Sequence, residues 1–120
     1  MLLIALLMTA AAPMQSQATM NASAGTSYAR ADAAMAAQWK RTYAYMKGRD
    51  AQDGSRGGGF GYAAALLESQ RAWLKFRDTQ CAIAGGEFAG GSAQGMAIGR
   101  CKTSLTRERT AQLRALVWPR

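Results

Sequence analysis

Gln70-Arg71-Ala72-Trp73-Leu74-Lys75-Phe76-Arg77-Asp78-Thr79-Gln80-Cys81 is the centre of the stretch that decides the fold. It lies in an alanine-rich, helix-favouring run from Tyr62 to Ala84. Within that run Leu66, Trp73, Phe76 and Ile83 share one helical face, with Cys81 beside it. Gly85-Gly86 supplies a C-terminal stop. Nothing in the run alternates with the period of a strand.

Working outward, Gly90-Gly91-Ser92 opens a third-helix pattern, with Ser92 as a natural N-cap. The pattern runs from Ala93 to Leu116, with Ile98, Cys101, Leu105, Leu113 and Leu116 on a drifting face. Gly95 and Gly99 weaken its first turns or let another helix approach closely. Trp118-Pro119-Arg120 reads as a frayed tail. On the N-terminal side, Gly48 to Gly61 holds Gly54, Gly57, Gly58, Gly59 and Gly61, and reads as a flexible loop. Arg56 precedes three glycines there, but no Gly-Lys-Ser/Thr ending makes a phosphate loop. A first helix spans Ser27 to Lys47, where Tyr28, Met35, Trp39, Tyr43 and Met46 recur at spacings of 7, 4, 4 and 3. The expected fold is therefore all-α: three helices, the second and third forming an antiparallel hairpin.

Residues 1–18 read as a signal peptide, leaving residues 19–120 as one helical domain. Leu2 to Leu7 is an apolar run, Met8 to Ala12 and Pro13 follow without a charge, and Ser16-Gln17-Ala18 is a small-x-small cleavage triplet. The apolar span falls short of the ~20 residues a membrane span needs. No Lys or Arg precedes it, so the terminal amine is its only positive charge unless the start lies upstream. An exported chain, periplasmic or secreted, meets an oxidising compartment, where a cysteine pair is normally a disulfide. Cys81 near the end of the second helix and Cys101 near the start of the third are brought together by an antiparallel hairpin. A redox pair or two free thiols are the alternatives, and the Cys-x-x-Cys motif of redox pairs is absent. The expectation is a structural disulfide, which compensates an alanine-rich, lean core.

The chain has 120 residues, 15 Lys+Arg, 7 Asp+Glu, 2 Cys and no histidine, for a net charge of +8. Without histidine there is no Ser-His-Asp or Cys-His catalysis and no histidine zinc site. Two cysteines cannot fill a Cys₄ site. The chain is thus read as non-enzymatic, with no catalytic residue, metal or cofactor. Arg100, Lys102, Arg107, Arg109, Arg114 and Arg120 face a single acid, Glu108, on the third helix and tail. They form either a solvated face or an anion-binding surface. Lipopolysaccharide phosphates, acidic envelope polymers and anionic lipid headgroups are the candidate partners. Nucleic acid fits the same charge pattern, but the export signal argues against it.

The block from Gln70 to Cys81 resembles the signature of the lysozyme inhibitor LprI-like N-terminal domain family. The similarity continues through Gly90-Gly91-Ser92, Cys101 and Leu105-Thr106-Arg107-Glu108-Arg109-Thr110-Ala111-Gln112-Leu113. Upstream it includes Met20-Asn21 and Tyr28-Ala29-Arg30-Ala31-Asp32, so it covers about Met20 to Leu116. The family-signature residues are Gln70, Trp73, Phe76, Arg77, Asp78, Thr106 and Arg109. The resemblance implies a small, exported, often disulfide-bonded helical domain with a role in binding or inhibiting lysozyme. Ser23 stands where many relatives carry a cysteine, which implies that a disulfide tying down the first helix is absent here.

Trp73, Arg77 and Cys81 are spaced i, i+4, i+8 and stack along one face. They are either a recognition stripe or a structural one, with Arg77 bridging to Asp32 or to Glu108. Charge bears on the partner. Many lysozymes are strongly cationic, and a +8 chain is repelled by them at long range.

Overall fold

The computed structural model describes residues 16–118. Three helices make up the domain: α1 (Gln17–Gln52), α2 (Tyr62–Gly86) and α3 (Gln94–Ala115). A single 3₁₀ turn, Arg56–Gly58, lies between α1 and α2. α2 runs antiparallel to α1 and to α3, while α1 and α3 run parallel. Their contacts advance together, from Gln17 against Met96 to Thr42 against Leu113 and Tyr45 against Trp118.

α1 begins earlier and ends later than expected. Ser16 caps it through its side chain, which accepts from the Thr19 amide at 3.1 Å. The apolar part of the expected signal peptide, residues 1–15, lies outside the described residues, and Ser16-Gln17-Ala18 forms the start of α1. At the other end Gly48 is helical and α1 continues to Gln52. The reason is the use made of Arg49 and Asp50. The Arg49 guanidinium lies 3.8 Å from the Tyr62 ring centroid and 5.1 Å from that of Trp118. The Asp50 carboxylate accepts from the amides of Tyr62 (2.6 Å) and Ala63 (3.0 Å). It therefore caps α2, whose own N-cap, Gly61 at φ 83°, has no side chain to offer. The connection is thus Asp53–Gly61. Asp53 organises it by accepting from Ser55 and Phe60 amides, both at 2.9 Å. These bonds hold the Asp53 carboxyl at about 2, below its usual 3.8, the Phe60 amide contributing most.

The core is built on Met35, Met46, Ala63, Leu66 and the fully buried Leu113, with Trp39, Tyr43, Trp73 and Leu74 packed against it. Burying a side chain such as Leu113 contributes roughly 1.5–3 kcal/mol. The buried line of α2 is Ala63, Leu66, Gln70, Arg77, Cys81 and Gly85. Phe76 and Ile83, expected on the apolar face, are instead 51% and 71% exposed. The face is rotated because Gln70 and Arg77 find polar partners inside and because Gly85 admits Ile98. A Cβ on Gly85 would lie 2.6 Å from Ile98 Cγ1. In α1 the buried line likewise takes in Gln38 and Thr42. Thr42 Oγ1 accepts from Gln38 Nε2 and donates to the Leu113 carbonyl at 2.9 Å, one of the last carbonyls of α3.

Cys81 and Cys101 are bonded, with Cα atoms 5.4 Å apart, and staple the α2–α3 hairpin at its closed end. Ser92 does not cap α3. The N-cap is Ala93, with no side-chain bond. The Ser92 carbonyl instead accepts from Asn21 Nδ2 of α1 at 2.8 Å. Gly99 permits close approach, since a Cβ there would meet Ala24 Cβ at 3.3 Å, whereas Gly95 faces open space. Trp118 is tied down, its carbonyl accepting from Tyr45 at 2.6 Å.

Candidate functional site

The signature residues converge inside the bundle. Two guanidiniums approach the Trp73 ring, with Arg77 at 5.4 Å and Arg109 at 5.9 Å from its centroid. Arg77 is 6% exposed. Its Nε donates to Asp78 at 3.0 Å, and its Nη1 donates to Asp32 and Thr106, both at 3.4 Å. The acid on α1 that Arg77 bridges to is therefore Asp32, and Glu108 takes no part. Arg109 is 9% exposed. It donates to Gln70 (2.9 Å), Ser69 (3.0 Å) and Gln112 (3.3 Å), and burial lowers its pKa. A charge removed from water survives only with such partners. Phe76 faces outward, and Asp78, though bonded to Arg77, is also exposed.

Two expected anion-binding residues therefore leave the surface site. Arg109 is committed to the α2–α3 interface. Lys102 sits 3.7 Å from Asp78 and lies over the Tyr28 ring. Burial raises the Tyr28 pKa, partly offset by Arg77. The reason is angular. A residue two positions further on is turned by about 200°, so Lys102 and Arg109 face α2 while Arg100, Arg107 and Arg114 face α1.

Those three arginines are exposed and form a row with a seven-residue repeat. The row spans about 21 Å of helix. α1 adds Arg30, also exposed, to the same surface. None of the four takes part in an ion pair among the described residues. The row borders two grooves between α1 and α3. The first, about 610 Å³, is flanked by Arg100, Arg107, Glu108 and the hydroxyls of Ser23, Ser27 and Ser104. The second, about 320 Å³, begins at the same Arg107 and continues past Arg30 and Arg114 over a floor of Ala31, Ala34 and Ala111. Arg120 lies outside the described residues. The seven-residue repeat was visible in the sequence. The parallel pairing that brings Arg30, Ser23 and Ser27 to the same face was not.

Among the described residues no group of three or more His, Cys, Asp or Glu side chains is placed to hold a metal ion. No helix there is long and apolar enough to cross a membrane.

The profile of the family described as "Lysozyme inhibitor LprI" matches residues 8–113. An uncharacterized protein of Rhizobium meliloti (strain 1021) is 38% identical over 103 residues, covering 85% of this chain and 74% of the relative. No solved structure matches the chain.

Proposed function

From the premise that this chain belongs to the lysozyme inhibitor LprI family, we propose that it is an exported, non-enzymatic envelope protein that limits lysozyme action. Its contact surface in this reading is the α1–α3 arginine row, and its partner is an anionic envelope polymer such as the wall material lysozyme attacks. The observation that carries the reading is the set Arg30, Arg100, Arg107 and Arg114, exposed along two grooves that share Arg107 and without an ion pair among the described residues. A row of cations on a rigid helix attracts a polyanion and holds it in register. The absence of histidine from the sequence and the pairing of both cysteines support binding over catalysis.

A second reading, direct capture of the enzyme, is favoured by the family's description. The net charge of +8 weighs against it for a cationic lysozyme, because like charges slow association. One experiment separates the two. Lysozyme is assayed on whole cell-wall sacculi and on a small soluble chromogenic glycoside. Polymer masking predicts protection of sacculi with the soluble assay unchanged. Direct inhibition predicts loss of both activities.

A further inference from the structure

Resting on the reading of the arginine row as the contact surface, we propose that the α1–α3 groove is a glycan site. It takes an extended strand of an acidic polysaccharide. Arg100 and Arg107 hold the acid groups, and Glu108 accepts hydrogen bonds from sugar hydroxyls.

Three observations lead from "polyanion" to "acidic glycan". First, Ser23, Ser27 and Ser104 border the groove, and none of their hydroxyls is engaged in a side-chain hydrogen bond among the described residues. Thr26 and Thr103 on the same helices bond back to the helix carbonyls of Ala22 and Gly99 instead. The groove therefore presents unengaged donor–acceptor groups, which suit sugar hydroxyls. Second, Glu108 stands among the cations without an ion pair. A carboxylate repels phosphate and weakens a site meant for phosphate alone. It is an acceptor for hydroxyl donors, which a glycan has and a polyphosphate backbone lacks. Third, the two grooves meet at Arg107 and extend along α3. The small alanine floor of the second leaves room for sugar rings to lie flat. A row of about 21 Å suits a chain passing through rather than one headgroup.

The test uses the whole chain and three probes at one ionic strength: oligogalacturonate fragments of increasing length, inorganic polyphosphate, and phosphatidylglycerol vesicles. Binding is followed by calorimetry for the wild type, Glu108→Gln and the pair Arg100→Gln/Arg107→Gln. Glu108→Gln raises the net charge by one, so simple polyanion attraction predicts tighter binding to every probe. The glycan site predicts the opposite sign for oligogalacturonate, a loss of about tenfold, with polyphosphate binding unchanged or tighter. Affinity for the fragments is also expected to climb with length and then level off once the row is filled. Tighter binding of both polymers by Glu108→Gln, or binding to vesicles without binding to fragments, overturns the glycan assignment and leaves the anionic contact surface standing. If the arginine pair changes binding to none of the probes, the contact surface itself falls.

Discussion

Arg109 on α3 donates from Nε to Oε1 of Gln70 on α2 at 2.9 Å, inside the bundle and beside Trp73. Ser69 and Gln112 accept from the same guanidinium. Arg109→Ala leaves the buried Oε1 of Gln70 without its donor, while Gln70 Nε2 keeps its contact with Met35 Sδ. The expected cost is about 2–4 kcal/mol in chemical denaturation. Arg107→Ala, two residues away and exposed, is expected to stay within about 0.5 kcal/mol. A double-mutant cycle of Arg109→Ala with Gln70→Ala should give coupling of about 1 kcal/mol or more. Additive single effects would show that the bond does not matter to stability.

The Cys81–Cys101 bond closes the hairpin. The oxidised protein, unfolded without reductant, is expected to take up no thiol label. Cys81→Ser should cost roughly 3 kcal/mol by the loop-entropy argument. That lowers Tm by on the order of 10–20 °C for a domain of this size. Stoichiometric labelling would contradict the staple.

Asp50 caps α2 from the end of α1. Asp50→Ala is expected to destabilise the domain by about 1–2 kcal/mol. In limited trypsin digestion the first cut is expected after Arg56, in the connection, with the bond after Arg49 protected inside α1. A first cut within α3 would place the weak point elsewhere.

The Asp53 carboxyl has its pKa lowered to about 2 from 3.8 in the folded loop. A carboxyl whose pKa falls on folding adds stability that is full above its unfolded value and is lost as pH drops through the folded value. The Phe60 amide should therefore stay protected from hydrogen exchange at neutral pH. It should lose protection, relative to the global unfolding reference, between pH 3.8 and about 2. Asp53→Asn should remove that pH step. A step that persists in Asp53→Asn assigns it to another group.

The hairpin and its staple were legible because glycine pairs and cysteine positions are local signals. Gly85-Gly86 ends the α2 pattern and Cys101 falls about two turns into the next. The polar core was legible in part. Trp73, Arg77 and Cys81 share a face by spacing, and Asp32 is one of the two acids that spacing offers Arg77. Ranking side chains by polarity, however, places Phe76 and Ile83 inside and Arg109 on the surface, because it cannot see a polar side chain's partners. Here three helices bring those partners together, and the alanine-rich interfaces leave room for them. The surface row was half-legible. A seven-residue spacing groups Arg100, Arg107 and Arg114, but it equally groups Lys102 and Arg109, and only the position of α1 and α2 tells the two rows apart. Arg30 joined the first row through the parallel packing of α1 on α3, a long-range relation with no local sign.

The central claim is that the outward row, and not the net charge, is the contact surface. The direct measurement is the salt dependence of binding to a soluble anionic wall polymer, compared between the wild type and Arg100→Gln/Arg107→Gln/Arg114→Gln. A control carries three equally exposed cations from elsewhere, Lys40→Gln/Arg41→Gln/Arg71→Gln. Both triples reduce the charge by the same amount. The row variant is expected to bind weakly, with a much shallower slope of log K against log salt, because counterion release is tied to the contacts made. The control variant should keep the wild-type slope. Equal losses in the two variants would mean that bulk charge, not the α3 row, does the binding.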